Sequence, residues 1–144
     1  MIFHTEVHGF KSENLEAVAE EVAAATGAEL SIHHNDTYGG DYGFFKPKQG
    51  GRLKLYDNQN RMDHEWHEEA YKEFGLILKV EQQDARVDFA ARLEEMKAHK
   101  PTLLYRTEFD DQAWTYEKLF ELKPGSLKKD LSKASRPRSL SGHS

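Results

Sequence analysis

The sequence contains no cysteine in its 144 residues. That excludes disulfides, thiolate zinc sites and cysteine nucleophiles, and it fits a reducing compartment better than a small secreted scaffold. Long apolar runs are also missing. A stretch such as Gly75 to Leu78 falls far short of the roughly 20 residues that a membrane-spanning helix needs. The opening Met1-Ile2-Phe3-His4-Thr5-Glu6 has neither the basic region nor the apolar core of a signal peptide. The expected setting is therefore the cytoplasm, with no membrane partner. The sequence has no Gly-x-x-x-x-Gly-Lys phosphate loop, no Gly-x-Ser-x-Gly elbow and no paired-glycine dinucleotide fingerprint. No cofactor is expected, and the pattern favours binding over turnover.

Charge is plentiful but unevenly divided. Residues 123–144 hold six basic side chains against one acidic, so residues 1–122 carry 14 basic and 24 acidic side chains, a net charge of −10. An acidic body repels nucleic-acid phosphates and attracts a basic protein partner. The tail contains Pro124-Gly125, six serines and Arg136-Pro137-Arg138. It lacks the apolar periodicity that would offset its ordering entropy. The sequence thus divides into an acidic domain over 1–122 and a basic, disordered tail over 123–144, through which any nucleic-acid contact would be weak.

The 144-residue length allows one ordinary domain. Alternation over Ile2–His8 predicts a first strand. Ser12 is placed to cap a helix with an apolar stripe at Leu15, Val18, Ala19, Val22 and Ala23, ended by Gly27. Ala28–His34 reads as a strand with Leu30 and Ile32 inward. Tyr42–Phe45 and Arg52–Tyr56 read as a hairpin around Pro47 and Gly50-Gly51. Leu76–Val80 is a further strand. Asp84 is expected to cap a second helix carrying Val87, Ala90, Ala91, Leu93 and Met96 inward, stopped before Pro101. Thr102–Tyr105 reads as a last strand, and Trp114, Leu119, Phe120 and Leu122 lie in a segment assigned to helix. The expected class is α+β: one mainly antiparallel sheet packed by two or three helices.

Two stretches stand out as candidate sites. Tyr38-Gly39-Gly40-Asp41-Tyr42 combines glycines that permit positive φ with tyrosines that offer amphipathic contact area. Tyr38, Asp41 and Tyr42 are therefore candidate partner contacts, since aromatic residues are enriched at interface hot spots. In Asp63-His64-Glu65-Trp66-His67-Glu68-Glu69, the acidic Asp63, Glu65, Glu68 and Glu69 are candidate contacts for a basic surface, with Trp66 as an anchor. If that stretch were helical, His64, His67 and Glu68 would share a face with metal-ligand chemistry. A small metal-binding domain or metal-dependent hydrolase is thus the alternative reading. His33 and His34 are adjacent strand residues and point to opposite faces. His4, Glu6 and His8 share one strand face, expected to be exposed and polar.

The order of helix, strand, Tyr38-Gly39-Gly40-Asp41-Tyr42, Arg52-Leu53-Lys54-Leu55 strand ending at Asn58, Leu76-Ile77-Leu78 strand and Asp84 helix resembles a family of small bacterial proteins. These are candidate immunity proteins of polymorphic toxin systems. The resemblance covers roughly residues 12–98. It implies a cytoplasmic inhibitor that occludes a basic toxin or nuclease domain with acidic and aromatic side chains. The His64–Glu73 stretch, the Thr102–Leu122 region and the basic tail fall outside it.

Overall fold

The computed structural model describes residues 1–124. The basic tail expected from Lys123 onward lies, from residue 125, outside the described residues. Seven strands form one antiparallel sheet: β1 (Ile2–Phe10), β2 (Glu29–Asn35), β3 (Gly40–Lys46), β4 (Arg52–Asp57), β5 (Leu76–Gln83), β6 (Thr102–Asp110) and β7 (Thr115–Glu121). Their spatial order is β2-β3-β4-β5-β1-β6-β7. Helices α1 (Leu15–Thr26) and α2 (Phe89–Leu93) pack on one face of the sheet. This is the expected α+β architecture. Among the described residues no helix is long and apolar enough to cross a membrane.

The helix face carries the larger core. Phe10 of β1, Phe45 of β3, Leu53 and Leu55 of β4, and Leu76, Leu78 and Val80 of β5 meet Val18, Ala19 and Val22 of α1 and Phe89 and Leu93 of α2. Each strand contributes alternate residues, as a pleated strand requires. Helix α1 stops where Gly27 turns left-handed, at φ 69°, and donates its N–H back to Ala23. Its cap is Asn14, whose Oδ1 accepts from Ala17 N–H at 3.1 Å; Ser12 instead accepts from Asn14 N–H.

The opposite face carries a smaller core. Val7, Tyr56, Ile77 and Leu104 are covered by Tyr71 and Phe74 from the β4–β5 connection rather than by an α-helix, Tyr71 standing on a single 3-10 turn over Glu69–Tyr71. Gly9 makes that covering possible, because a Cβ there would stand 2.6 Å from the Phe74 ring. Buried Asn58 fastens the connection. Its Nδ2 donates to the carbonyls of Tyr71 and Phe74, both at 3.0 Å, and its Oδ1 accepts from Glu68 N–H at 2.8 Å.

Three expectations are corrected. Asp84 does not cap a helix: it sits at φ 55° and its carboxylate accepts from Ile2 N–H at 2.9 Å. The cap is Asp88, on a helix of five residues. The Trp114–Leu122 segment is not helical but forms β7, pairing Tyr116 with Phe109 and Phe120 with Arg106. Its Thr, Tyr, Leu and Phe content suits a pleated edge strand. Finally, Leu30 packs against the core but Ile32, farther along the edge strand β2, is 51% exposed.

Candidate functional site

Strand alternation alone aims Tyr42 and Tyr56 at the helix-free face, and the Asn35–Gly39 turn brings Tyr38 onto them. In that turn the side chain of Asn35 accepts from Thr37 N–H at 2.8 Å, and Gly39 closes it at φ 80°. The turn is clamped from the far side by Asn60, whose Nδ2 donates to the carbonyls of Asp36 and Thr37 at 3.0 and 3.2 Å. Gly39 is required at this contact: a Cβ there would lie 2.8 Å from the backbone nitrogen of Arg61.

The result is a continuous aromatic patch. The ring of Tyr38 lies 4.6 Å from Tyr42, 4.8 Å from Tyr56 and 6.0 Å from His67. His33 extends it along β2, 5.7 Å from Tyr42 and 5.3 Å from Phe44. Lys54 Nζ donates to the Tyr38 hydroxyl at 3.2 Å and lies over its ring. Tyr105 donates its hydroxyl to Glu68 Oε2 at 2.8 Å. Burial raises the pKa values of the Tyr56 and Tyr105 phenols above their ordinary range, with Glu68 adding to both. They stay protonated donors. Burial also raises the Glu68 carboxyl and lowers His67, so both charged forms are disfavoured here.

The candidate contacts divide between this patch and its rim. Tyr38 and Tyr42 meet in the patch. Asp41, next to Tyr42 in β3, points the other way and faces His34, whose Nδ1 lies 3.1 Å from its carboxylate. Asp63, Glu65 and Glu69 are exposed on the β4–β5 connection, where the Asp63 carboxylate accepts from Glu65 N–H at 2.9 Å. Glu68 is half-buried and engaged by Tyr105, so it is a framework residue as much as a contact. Trp66 is half-buried, bridges to Gln59, and carries Lys72 Nζ 5.5 Å above its ring.

The metal-ligand geometry anticipated for His64, His67 and Glu68 does not form. Their segment is a loop rather than a helix, with His64 at φ 64°, because Asn58 and Asn60 take up its backbone groups in place of a helical ladder. His67 points into the tyrosines and Glu68 toward Tyr105. Among the described residues no group of three or more histidines and carboxylates is disposed to hold a metal ion.

A second cluster also departs from the sequence reading. Glu6 and His8, expected on an exposed face, are 1% and 2% exposed. Arg86 Nη2 donates to Glu6 Oε2 at 3.0 Å, Arg106 Nε lies 3.3 Å from the same oxygen, and His8 Nε2 lies 3.2 Å from Oε1. Burial alone would raise the Glu6 carboxyl, but His8 and the two arginines hold it below its ordinary value. Both arginines lie far from Glu6 in sequence and were not anticipated. His67 was expected only as a metal ligand and packs on Tyr38 and Tyr56 instead. Tyr56 and Tyr105 were missed; Tyr56, spaced two residues from Lys54 in an alternating strand, had a local signal.

No family model matches the chain, and no curated protein matches it significantly.

Proposed function

We propose that the chain is a non-catalytic protein-binding module that docks a basic protein partner on the helix-free face of its sheet. The observation that carries this reading is the patch of Tyr38, Tyr42, His33 and Phe44, left without a covering α-helix, with exposed Asp63, Glu65 and Glu69 on the same β4–β5 connection whose His67 packs on the rings. Tyrosine rings supply broad contact area with little rotamer entropy to lose, and a carboxylate rim steers a basic surface toward them. An immunity-like inhibitor acts in this way: it occludes a basic toxin or nuclease domain and performs no chemistry of its own. The geometry of the titratable pairs supports binding over catalysis, since Glu6–His8 is sealed by arginines and Glu68 is held by Tyr105.

The test is affinity capture from the native host with wild type, Glu65→Lys/Glu69→Lys and Tyr42→Ala. These residues are chosen because Glu68→Lys would also break the Tyr105 contact and disturb the fold. One basic protein is expected with the wild type, lost from both variants, and recovered less well as salt rises. Recovery of no such protein, or undiminished recovery by both folded variants, overturns the reading.

A further inference from the structure

Beside the tyrosine patch, at the end of the sheet, lies a cleft of about 660 Å³. Its walls come from the β1–α1 junction (Lys11, Glu13), the end of β4 (Asp57) and the following connection (Arg61, Trp66, Glu73). The same connection carries neighbouring side chains to two places: Trp66 into this cleft and His67 onto the tyrosines. Asn60 lines the cleft and also clamps the turn that carries Tyr38, so the cleft adjoins the proposed docking face. It is large enough for a long side chain with some of its backbone.

Formal charge in the lining is balanced, so the sign of the available charge depends on which groups are already engaged. Arg61 Nε lies 3.0 Å from Asp57 Oδ2. Lys72 sits over Trp66 and 4.0 Å from Glu69. Lys11 sits over the Phe74 ring at 5.8 Å. Glu13 and Glu73 have no ion pair among the described residues. Lys11 has no ion pair among the described residues either, so the unpaired groups Lys11, Glu13 and Glu73 leave one net negative charge; the neighbouring Asp57 carboxyl is raised by burial and further by Glu13 in spite of Arg61. Lys72 is 52% exposed and its partner Glu69 80%, so Lys72 can swing away to water with little loss, whereas Arg61 stays on the buried Asp57 carboxylate.

We infer that this cleft receives an arginine side chain of the protein partner, stacked on Trp66 and paired with Glu13 and Glu73. The molecule's own Lys72 marks the cation position over the indole, while Glu13 and Glu73 carry no ion pair among the described residues. A guanidinium is planar, stacks on an indole more readily than an ammonium does, and bonds carboxylates through a fork. The inference extends the protein-binding reading by naming the side chain that anchors the partner.

The experiment uses the full chain carrying Trp114→Phe, which leaves Trp66 as the single indole reporter; Trp114 is 76% exposed on the β6–β7 turn. Its fluorescence is titrated with N-acetyl-arginine amide, with the neutral isostere N-acetyl-citrulline amide, and with arginine against Glu13→Gln/Glu73→Gln. A saturable change with arginine is expected, about tenfold weaker with citrulline and several-fold weaker in the glutamine variant. Equal responses to arginine and citrulline, or no saturable response to either, overturn the proposal. Because no partner is present, this result is independent of the capture experiment. Arginine binding without partner capture would leave the cleft standing and remove the docking face; capture without arginine binding would do the reverse.

Discussion

Asn58 grips Glu68 from both sides: its Oδ1 accepts from the Glu68 N–H at 2.8 Å while its Nδ2 lies 3.4 Å from the Glu68 carbonyl. Because the same amide also serves Tyr71 and Phe74, one buried side chain fixes the loop that forms both the tyrosine patch and the cleft. Replacing it with aspartate keeps the size and removes every donor. Asn58→Asp is expected to cost about 2–4 kcal/mol, since buried carbonyls lose their partners and a carboxylate is buried among them. Urea denaturation measures the loss, and amide chemical shifts should change most over residues 66–75. A loss within 0.5 kcal/mol, about that of an ordinary surface change, would contradict this role.

Tyr105 is the donor that keeps Glu68 ionisable in a half-buried position. Burial raises the Glu68 carboxyl from its ordinary value of 4.5, and the Tyr105 hydroxyl opposes that rise. Tyr105→Phe removes the opposing bond, so the carboxyl should titrate at higher pH than in the wild type, read from its carbon resonance. The sign for stability follows. A carboxyl raised in the folded state binds its proton more tightly there, so stability falls as pH rises from 4.5 through the raised value. The variant should extend that fall to higher pH. An unchanged Glu68 titration would mean that the contact has no electrostatic consequence.

The Glu6 cluster predicts the opposite slope. Its carboxyl is depressed below 4.5 by His8, Arg86 and Arg106, so its contribution is fully present above 4.5 and disappears as pH falls through the depressed value. Glu6→Gln keeps the shape but leaves two arginines facing a neutral amide. The expected cost is about 3 kcal/mol at neutral pH, in the range found when one partner of a buried pair is removed. The gap between variant and wild type should then narrow as the pH is lowered past 4.5. A constant gap across that range would assign the cost to packing alone.

Local pattern explains most of the fold and little of the site. Strands β1, β3 and β4 and helix α1 were legible from the period of their apolar residues, and β5, buried on both faces along most of its length, from a short apolar run. Strand β7 was not: it is exposed along its whole length, so nothing forces alternation on it, and Trp114, Leu119, Phe120 and Leu122 by chance imitate a helical stripe. Asp84 resembles a helix cap, but its partner is Ile2 at the far end of the chain. Tyr38 and Tyr42 were legible as aromatic contacts. The burial of Glu6 was not, because the arginines that neutralise it arrive from β6 and from the turn after β5. The β4–β5 loop takes its shape from Asn58 and Asn60, which leave no periodic trace.

His67 joins the tyrosine patch to pH. Its ring packs 4.8 Å from Tyr56, its Nε2 is buried and has no hydrogen-bond partner among the described residues, and its pKa is lowered from 6.5, chiefly by burial. A histidine that resists protonation when folded takes up its proton more readily when unfolded. Stability from this group is therefore complete above 6.5 and is lost as pH falls through the lowered value. His67→Phe preserves the ring and removes the titration, so its stability should change less than that of the wild type between neutrality and about pH 5. The same protonation places a cation among tyrosines proposed to meet a basic partner. Partner binding should therefore weaken on acidification in the wild type and hold in His67→Phe. Equal acid sensitivity of the two proteins would separate His67 from the docking face.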